Sequence, residues 1–121
     1  MRNAPLLVPI AVLLLAWPVA AGCLGADPPT IDCPEPEAVP TYEEVGAFVV
    51  CSACHNSRYE GSARQGAPGG INYDTYEAAA PRVKSTQGVI ADGSMPPGNA
   101  FVLTAAQEEQ VYTWYQCGKP R

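Results

Sequence analysis

The sequence predicts a small all-α domain, and three observations support that fold class. Signatures of helix starts recur along the chain. The last of them opens a segment whose apolar residues are spaced as on one face of a helix, and no segment alternates between apolar and polar residues as a half-buried strand would. The chain has 121 residues, including 13 Pro and 11 Gly, so it has room for only one small domain.

Residues 1 to 22 are predicted to be an export signal. Arg2 supplies a positive start, and an uncharged apolar run follows from Leu6 to Ala21. This run is short and interrupted by prolines, whereas a membrane-spanning helix needs ~20 apolar residues. An uncleaved membrane anchor is therefore the less favoured interpretation.

The residues around Cys23 resemble the processing site of a bacterial lipoprotein, because the small residues Ala21 and Gly22 precede that cysteine. The resemblance implies cleavage before Cys23 and attachment of lipid to it. Two or more lipid chains would hold the protein on a bilayer, since each buried methylene contributes ~0.8 kcal/mol. Ordinary cleavage nearby, with release into the periplasm, is the alternative. We expect an exported protein at the periplasmic face of a bacterial membrane or at the cell surface.

The charge balance argues against a nucleic-acid partner. The formal net charge of the whole chain is −5, and removal of Arg2 with the signal makes the mature chain more acidic, whereas proteins that bind phosphate backbones are basic. The basic residues Arg58, Arg64, Arg82 and Lys84 lie in the middle of the chain. They suggest either a basic face that orients a redox partner or an ordinary solvated surface.

Residues 23 to 40 are predicted to be an extended tether, and residues 41 to 121 the folded domain. The stretch "LGADPPTIDCPEPEAVP" is rich in proline and has no apolar periodicity, which favours extended rather than packed structure.

Capping signatures predict where helices of the domain begin. In each, an N-cap side chain lies three residues before an acid or an amide, so that both side chains can bind the free amides of the first turn. The three signatures are Thr41-x-x-Glu44, Asp74-x-x-Glu77 and Thr104-x-x-Gln107.

The sequence predicts four helical pieces, three of which begin at these signatures. The first is expected from Tyr42 to Cys51 or beyond, with Val45, Phe48 and Val49 on one face. A second runs from residue 75 towards 80, and a third from 82 to 91, because Pro81 disfavours a helical residue before it. The fourth covers 105–118, where Val111, Trp114 and Tyr115 share one face and Gly118 suits a C-cap.

The domain offers few aliphatic side chains to bury. The long segments "NSRYEGSARQGAPGGIN" and "DGSMPPGN" are rich in turn formers and are predicted to be loops. Such a core is meagre for an independent domain of this size. A large apolar cofactor at the centre would account for the shortfall.

The stretch "CSACH" contains Cys51, Cys54 and His55, the single histidine of the chain. A thioredoxin-like dithiol needs a βαβ context, which the sequence lacks. A zinc site needs four ligands and is one short unless Cys33 or Cys117 joins it. The third interpretation is covalent haem c, in which both thiols form thioethers and the histidine binds iron. Export to an oxidising compartment favours this interpretation.

Met95 is the candidate for the second axial ligand of the iron. It is the one methionine outside residues 1 to 22, and it lies in "GSMPPG" rather than at a helical core position, where methionine usually fills gaps. Lys84, Lys119 or water are the competing ligands.

The chain resembles a small monohaem cytochrome c of the class I type over residues 41 to 118. The matching elements are a short helix leading into Cys51-Ser52-Ala53-Cys54-His55, a Gly-rich loop, the loop around Met95 and an aromatic C-terminal helix. The resemblance implies a small helical domain around one covalently bound haem.

The resemblance also implies a proline whose carbonyl accepts a hydrogen bond from the axial histidine, and Pro68 is the matching residue. Such a bond would fix the imidazole ring and make it a better donor, although Pro68 also suits an ordinary turn. In the same family the first and last helices cross through a glycine and aromatic residues. Gly46, Phe48, Trp114 and Tyr115 could serve, but Gly46 and Phe48 lie closer to Cys51 than is usual. Tyr73, Tyr76 and Trp114 either line the haem crevice or belong to the core.

The remaining cysteines are Cys33 and Cys117, if Cys23 carries lipid and the other two carry haem. A disulfide between them would tie the tether to the end of the last helix. Free thiols or pairing with another chain are the alternatives.

Electron transfer rather than catalysis is the predicted function. With His55 and Met95 both bound, the iron has no open position for a substrate. The partners would be a redox protein that donates electrons and one that accepts them, met at the membrane surface. Two rivals remain: a haem sensor or small peroxidase-like enzyme with an open distal site, and a non-enzymatic interaction module.

Overall fold

The computed structural model describes residues 26–98 and 101–121, so the export signal and Cys23 lie outside the described residues. Within these ranges the chain forms four α-helices and no strand, which confirms the all-α class. No helix in these ranges is long and apolar enough to cross a membrane. The helices are α1 (Ala47–Cys51), α2 (Tyr76–Ala79), α3 (Val83–Ala91) and α4 (Ala105–Gln116), and the 3-10 turns are Pro36–Ala38, Tyr42–Glu44 and Gly61–Arg64.

The first predicted helix is divided into a 3-10 turn and α1. Glu44 Oε2 accepts from the Thr41 amide at 2.8 Å, as the capping signature predicts, but the turn it caps ends at Glu44. A 3-10 turn has fewer residues per turn than an α-helix, so the break changes which side chains face inward. Val45 and Phe48 are buried, whereas Val49 is 76% exposed. The prediction that Val49 shares their buried face is wrong.

The start of α2 lies one residue later than the capping signature predicts. The Thr75 hydroxyl accepts from the Ala78 amide at 3.2 Å. The Asp74 carboxylate instead accepts from the Ser57 amide at 3.0 Å and the Ser57 hydroxyl at 2.5 Å. Through these two hydrogen bonds, Asp74 ties the neighbouring loop to the entrance of α2.

The core is built where α1 and α3 pack on α4. The Thr104 hydroxyl and the Gln107 side chain form the predicted capping box of α4. Trp114 is fully buried, with its ring 5.1 Å from that of Phe48, and its indole N–H donates to the Pro120 carbonyl at 2.8 Å. Aromatic side chains thus supply much of the apolar volume that the few aliphatic residues do not.

The segment before the domain is extended, but it lies on the domain instead of being free of it. The Gln116 amide group donates to the Pro29 carbonyl at 2.9 Å and accepts from the Ile31 amide at 3.0 Å. Cys33 and Cys117 form a disulfide. Together these contacts fasten residues 29 to 33 to the end of α4, so the prediction of an unpacked tether does not hold for them.

Candidate functional site

The "CSACH" stretch forms the turn that continues α1. The His55 amide donates to the Cys51 carbonyl at 2.9 Å, and the Ala53 amide donates to the Val50 carbonyl at 3.1 Å. The backbone therefore continues in a helical turn beyond the end of α1. Residues three and four apart on such a turn lie on one side of it. Cys51, Cys54 and His55 all line one cavity.

This cavity has a volume of about 400 Å³, which is within the usual range for a cofactor site. Its wall is largely apolar, because aliphatic side chains, prolines and one phenylalanine supply most of it. Met95 reaches the cavity from the loop after α3, so the two thiols, the imidazole and the thioether meet around one space. The other lining residues used below are Val50, Pro68, Ile71, Tyr73, Thr86, Val89 and Ile90.

The loop that presents Met95 is fastened to α3. The Met95 amide donates to the Val89 carbonyl at 3.0 Å, and the Ser94 hydroxyl donates to the same carbonyl at 3.3 Å. Gly93 has a φ of +74°, a conformation that glycine adopts without steric cost and that ends the helix sharply. These contacts hold the thioether at the cavity wall.

The His55 ring is oriented by a backbone carbonyl, but not by the predicted one. His55 Nδ1 lies 3.0 Å from the Ile71 carbonyl oxygen, whereas the Pro68 carbonyl accepts from Arg64 Nη2 at 2.6 Å. The Ile71 amide also bonds to the Pro68 carbonyl at 3.4 Å. This turn brings the Ile71 carbonyl to His55 Nδ1 in place of the Pro68 carbonyl, so the assignment of Pro68 as the partner of His55 is wrong in this structure.

The second ring nitrogen of His55, Nε2, makes no hydrogen bond among the described residues. Among the described residues the single hydrogen bond of the imidazole is the one at Nδ1. A carbonyl acceptor at Nδ1 selects the tautomer with the proton on that atom. Nε2 then keeps its lone pair and is the nitrogen suited to bind a metal.

Cys51 and Cys54 are free thiols. Burial raises the pKa of Cys51 to about 11, which keeps it protonated at neutral pH. A catalytic dithiol needs a lowered thiol pKa, so the environment of Cys51 is unsuited to thiol-disulfide exchange. Within residues 26–98 and 101–121, no group of three or more His, Cys, Asp and Glu side chains is placed to hold a metal ion. Cys33 and Cys117, either of which would be needed as the fourth zinc ligand, are paired with each other in a disulfide.

A chain of buried hydroxyls extends inward from the cavity wall. The Tyr73 hydroxyl lies 2.7 Å from Thr86 Oγ1, which lies 3.2 Å from the Tyr115 hydroxyl, and Tyr115 donates to the Ala79 carbonyl at 2.8 Å. Burial raises the pKa of both tyrosines, so both hydroxyls stay neutral. Of the three aromatic residues considered for the crevice, Tyr73 lines it, whereas Trp114 belongs to the core and Tyr76 to the cluster around it.

Three residues of this site could not be identified as functional from the sequence alone. Ile71 acts through its backbone carbonyl, which any residue type would provide. Thr86 lies on a helix without a motif around it. Arg64 lies in a Gly-rich loop, where a basic residue is usually solvated, yet it is only 8% exposed, so it is not part of a basic surface.

Comparison with known proteins adds no assignment: no protein-family model, curated protein or solved structure matches the chain. The chemistry of the cavity therefore rests on its own residues. Two thiols three residues apart, an imidazole with a free Nε2 and a thioether face one apolar space. This donor set suits a planar apolar group that carries a metal better than it suits a bare metal ion.

Proposed function

We propose that the protein is a one-electron carrier that holds one covalently attached haem c. The observation that supports this most directly is the convergence of Cys51, Cys54, His55 and Met95 on a single apolar cavity. Cys51 and Cys54 would supply the two thioether bonds, and His55 Nε2 and the Met95 sulfur the two axial ligands. When bound, haem supplies an iron that changes between Fe(II) and Fe(III).

The residues of the chain fit this role in three respects. The Ile71 carbonyl holds the His55 ring in one orientation and fixes its tautomer. The wall of the cavity is largely apolar, and a methionine ligand would raise the reduction potential. The loop contacts of Met95 would keep its sulfur available as a second iron ligand. This would leave no position for a substrate, so we propose a carrier and not an enzyme.

The cellular setting is also proposed. The Cys33–Cys117 disulfide is typical of a protein in an oxidising compartment, where covalent haem attachment would take place. We propose that lipid on Cys23 holds the mature protein at the periplasmic face of a membrane or at the cell surface. A redox protein that donates electrons and another that accepts them would meet it there.

The optical spectrum of the exported protein, oxidised and reduced, tests this proposal. We expect a low-spin c-type spectrum in the wild type with a weak methionine-to-iron band at the red end, and we expect that band to vanish in Met95→Ala. A wild type that is already high-spin and binds carbon monoxide readily would contradict the carrier and support a sensor or a small peroxidase-like enzyme.

A matched pair of variants separates covalent attachment from loose binding. In a Cys51→Ser, Cys54→Ser double variant, haem should no longer remain on the chain after denaturation and gel electrophoresis. Cys33→Ser should keep it, because that residue lies outside the cavity. Haem that stays attached in the double variant would contradict the thioether assignment.

A further inference from the structure

The side chain of Arg64 is buried inside the loop that follows His55. It lies at the end of the 3-10 turn Gly61–Arg64 and is 8% exposed. Its guanidinium donates only to oxygen atoms of the surrounding loop, five of them backbone carbonyls. The acceptors are Asn56 O at 2.7 Å, Tyr59 O at 3.4 Å, Ala67 O at 3.0 Å, Pro68 O at 2.6 Å, Ile71 O at 3.0 Å and Asn72 Oδ1 at 3.0 Å.

Among residues 26–98 and 101–121, no acidic side chain forms an ion pair with this guanidinium. Within the described part of the chain the single ion pair is the exposed one between Arg121 and Glu77. An arginine guanidinium carries a positive charge in proteins. The loop dipoles solvate the charge but do not cancel it, so a net positive charge is fixed beside the cavity.

Arg64 and His55 share one acceptor. Arg64 Nη2 and His55 Nδ1 each lie 3.0 Å from the Ile71 carbonyl oxygen. An acceptor that is already bound to a cation is a weaker partner for a second donor. The hydrogen bond from His55 Nδ1 is therefore weaker, and Nε2 donates less electron density to whatever it ligates.

We propose that Arg64 is a positioning residue that raises the reduction potential of the site through this shared carbonyl and through its buried charge. The inference rests on the proposed haem function and goes beyond it. Both effects have the same sign. A less basic axial imidazole stabilises Fe(III) less than a more basic one, and a nearby positive charge favours the iron state with the lower charge, Fe(II).

A potentiometric titration of the haem-loaded full-length protein tests the proposal. Arg64→Gln removes the charge and should lower the ratio of reduced to oxidised protein at a fixed potential about tenfold, which for a one-electron couple corresponds to ~59 mV. Arg64→Lys keeps the charge but loses the planar fork that reaches several carbonyls, and should lower the ratio about threefold. Arg58→Gln is the control, since it removes the same charge from an exposed side chain nearby and should leave the ratio within about twofold.

Equal potentials in wild type and Arg64→Gln, with both proteins low-spin, would overturn the proposal. If Arg64→Gln does not retain haem, Arg64→Lys decides, and an unchanged potential in that variant overturns it as well. A wild type without covalent haem would instead contradict the proposed function. The two failures are therefore distinguishable in one experiment.

Discussion

At the scale of single residues, the cavity wall depends on the buried hydroxyl of Thr86. Its side chain is almost fully buried, at 1% exposure, and it lies between two tyrosines. Because the Tyr115 hydroxyl donates to the Ala79 carbonyl, Thr86 can donate to Tyr115 and accept from Tyr73. In this arrangement each of the three hydroxyl protons has one acceptor. It also fixes the Tyr73 ring, which meets the His55 ring edge-on at 5.6 Å between centroids.

Replacement of Thr86 by Val should destabilise the protein by ~1 to 3 kcal/mol. Valine has the same shape but leaves the buried Tyr73 and Tyr115 hydroxyls short of a partner, and an unsatisfied buried polar group costs about this much. Chemical denaturation of the haem-loaded protein measures the change. Thr113→Val is the matched control, because the Thr113 side chain is only half-buried on α4. Equal losses in the two variants would show that the hydroxyl chain contributes nothing specific.

Side chains with distinctive chemistry were predictable at this scale, whereas backbone partners were not. Cys51, Cys54, His55 and Met95 stand out by residue type and spacing, and the structure brings all four to one cavity. The partner of His55 is a carbonyl, and the choice between Pro68 and Ile71 depends on how the Gly-rich loop turns. Residue types do not determine that choice.

At the scale of elements, α1 and α4 cross through aromatic side chains and not through a close approach at a glycine. A Cβ added to Gly46 would meet the Gln107 side chain at 3.5 Å and the Gln110 side chain at 3.8 Å, which is ordinary contact distance. The Gly46 amide donates to Gln110 Oε1 at 3.2 Å. Phe48, 5.1 Å from Trp114 between ring centroids, fills the crossing instead.

Gly46→Ala should therefore leave the stability unchanged or raise it by ~0.4 to 1 kcal/mol. The backbone at Gly46 is right-handed helical, so alanine fits there and reduces the entropy of the unfolded chain. Gly93→Ala is the matched control and should cost ~1 to 2 kcal/mol, because its φ of +74° disfavours a side chain. Thermal unfolding of both variants measures the difference. A large loss in Gly46→Ala would show that the helices approach more closely than the structure indicates.

The start of α4 was predictable from its cap, whereas the cap of α2 and the first helix were not. The capping box of α4 follows from Thr104 and Gln107 alone. The box at Thr41 is also present, but the short turn it opens is 3-10, and local propensity does not distinguish that turn from an α-helix. Tertiary packing of Phe48 against α4 decides the register after the break.

At the scale of the whole molecule, the Cys33–Cys117 disulfide closes a loop with a sequence separation of 84 residues. That loop contains the entire cavity. A cross-link over such a span removes conformational entropy from the unfolded chain, with a contribution of up to ~4 to 5 kcal/mol in the chain-entropy model. Bound haem would reduce the contribution, because it already restricts the unfolded chain.

A Cys33→Ser, Cys117→Ser double variant should lose ~2 to 5 kcal/mol of unfolding free energy. Denaturant titrations with and without a thiol reductant supply the control. The reductant should lower the stability of the wild type to that of the variant and leave the variant unchanged. A variant as stable as the oxidised wild type would contradict a stabilising role for the disulfide.

The contacts of Pro29 with the end of α4 limit how far the domain could lie from Cys23. Each residue spans at most ~3.6 Å, so the few residues between Cys23 and Pro29 reach only about 20 Å, whatever their conformation. With lipid on Cys23, the domain would therefore lie close to the bilayer. No residue of the fastened segment or of α4 lines the cavity, so attachment through this segment would not cover the cavity. A redox partner would then have to reach the domain at the membrane surface.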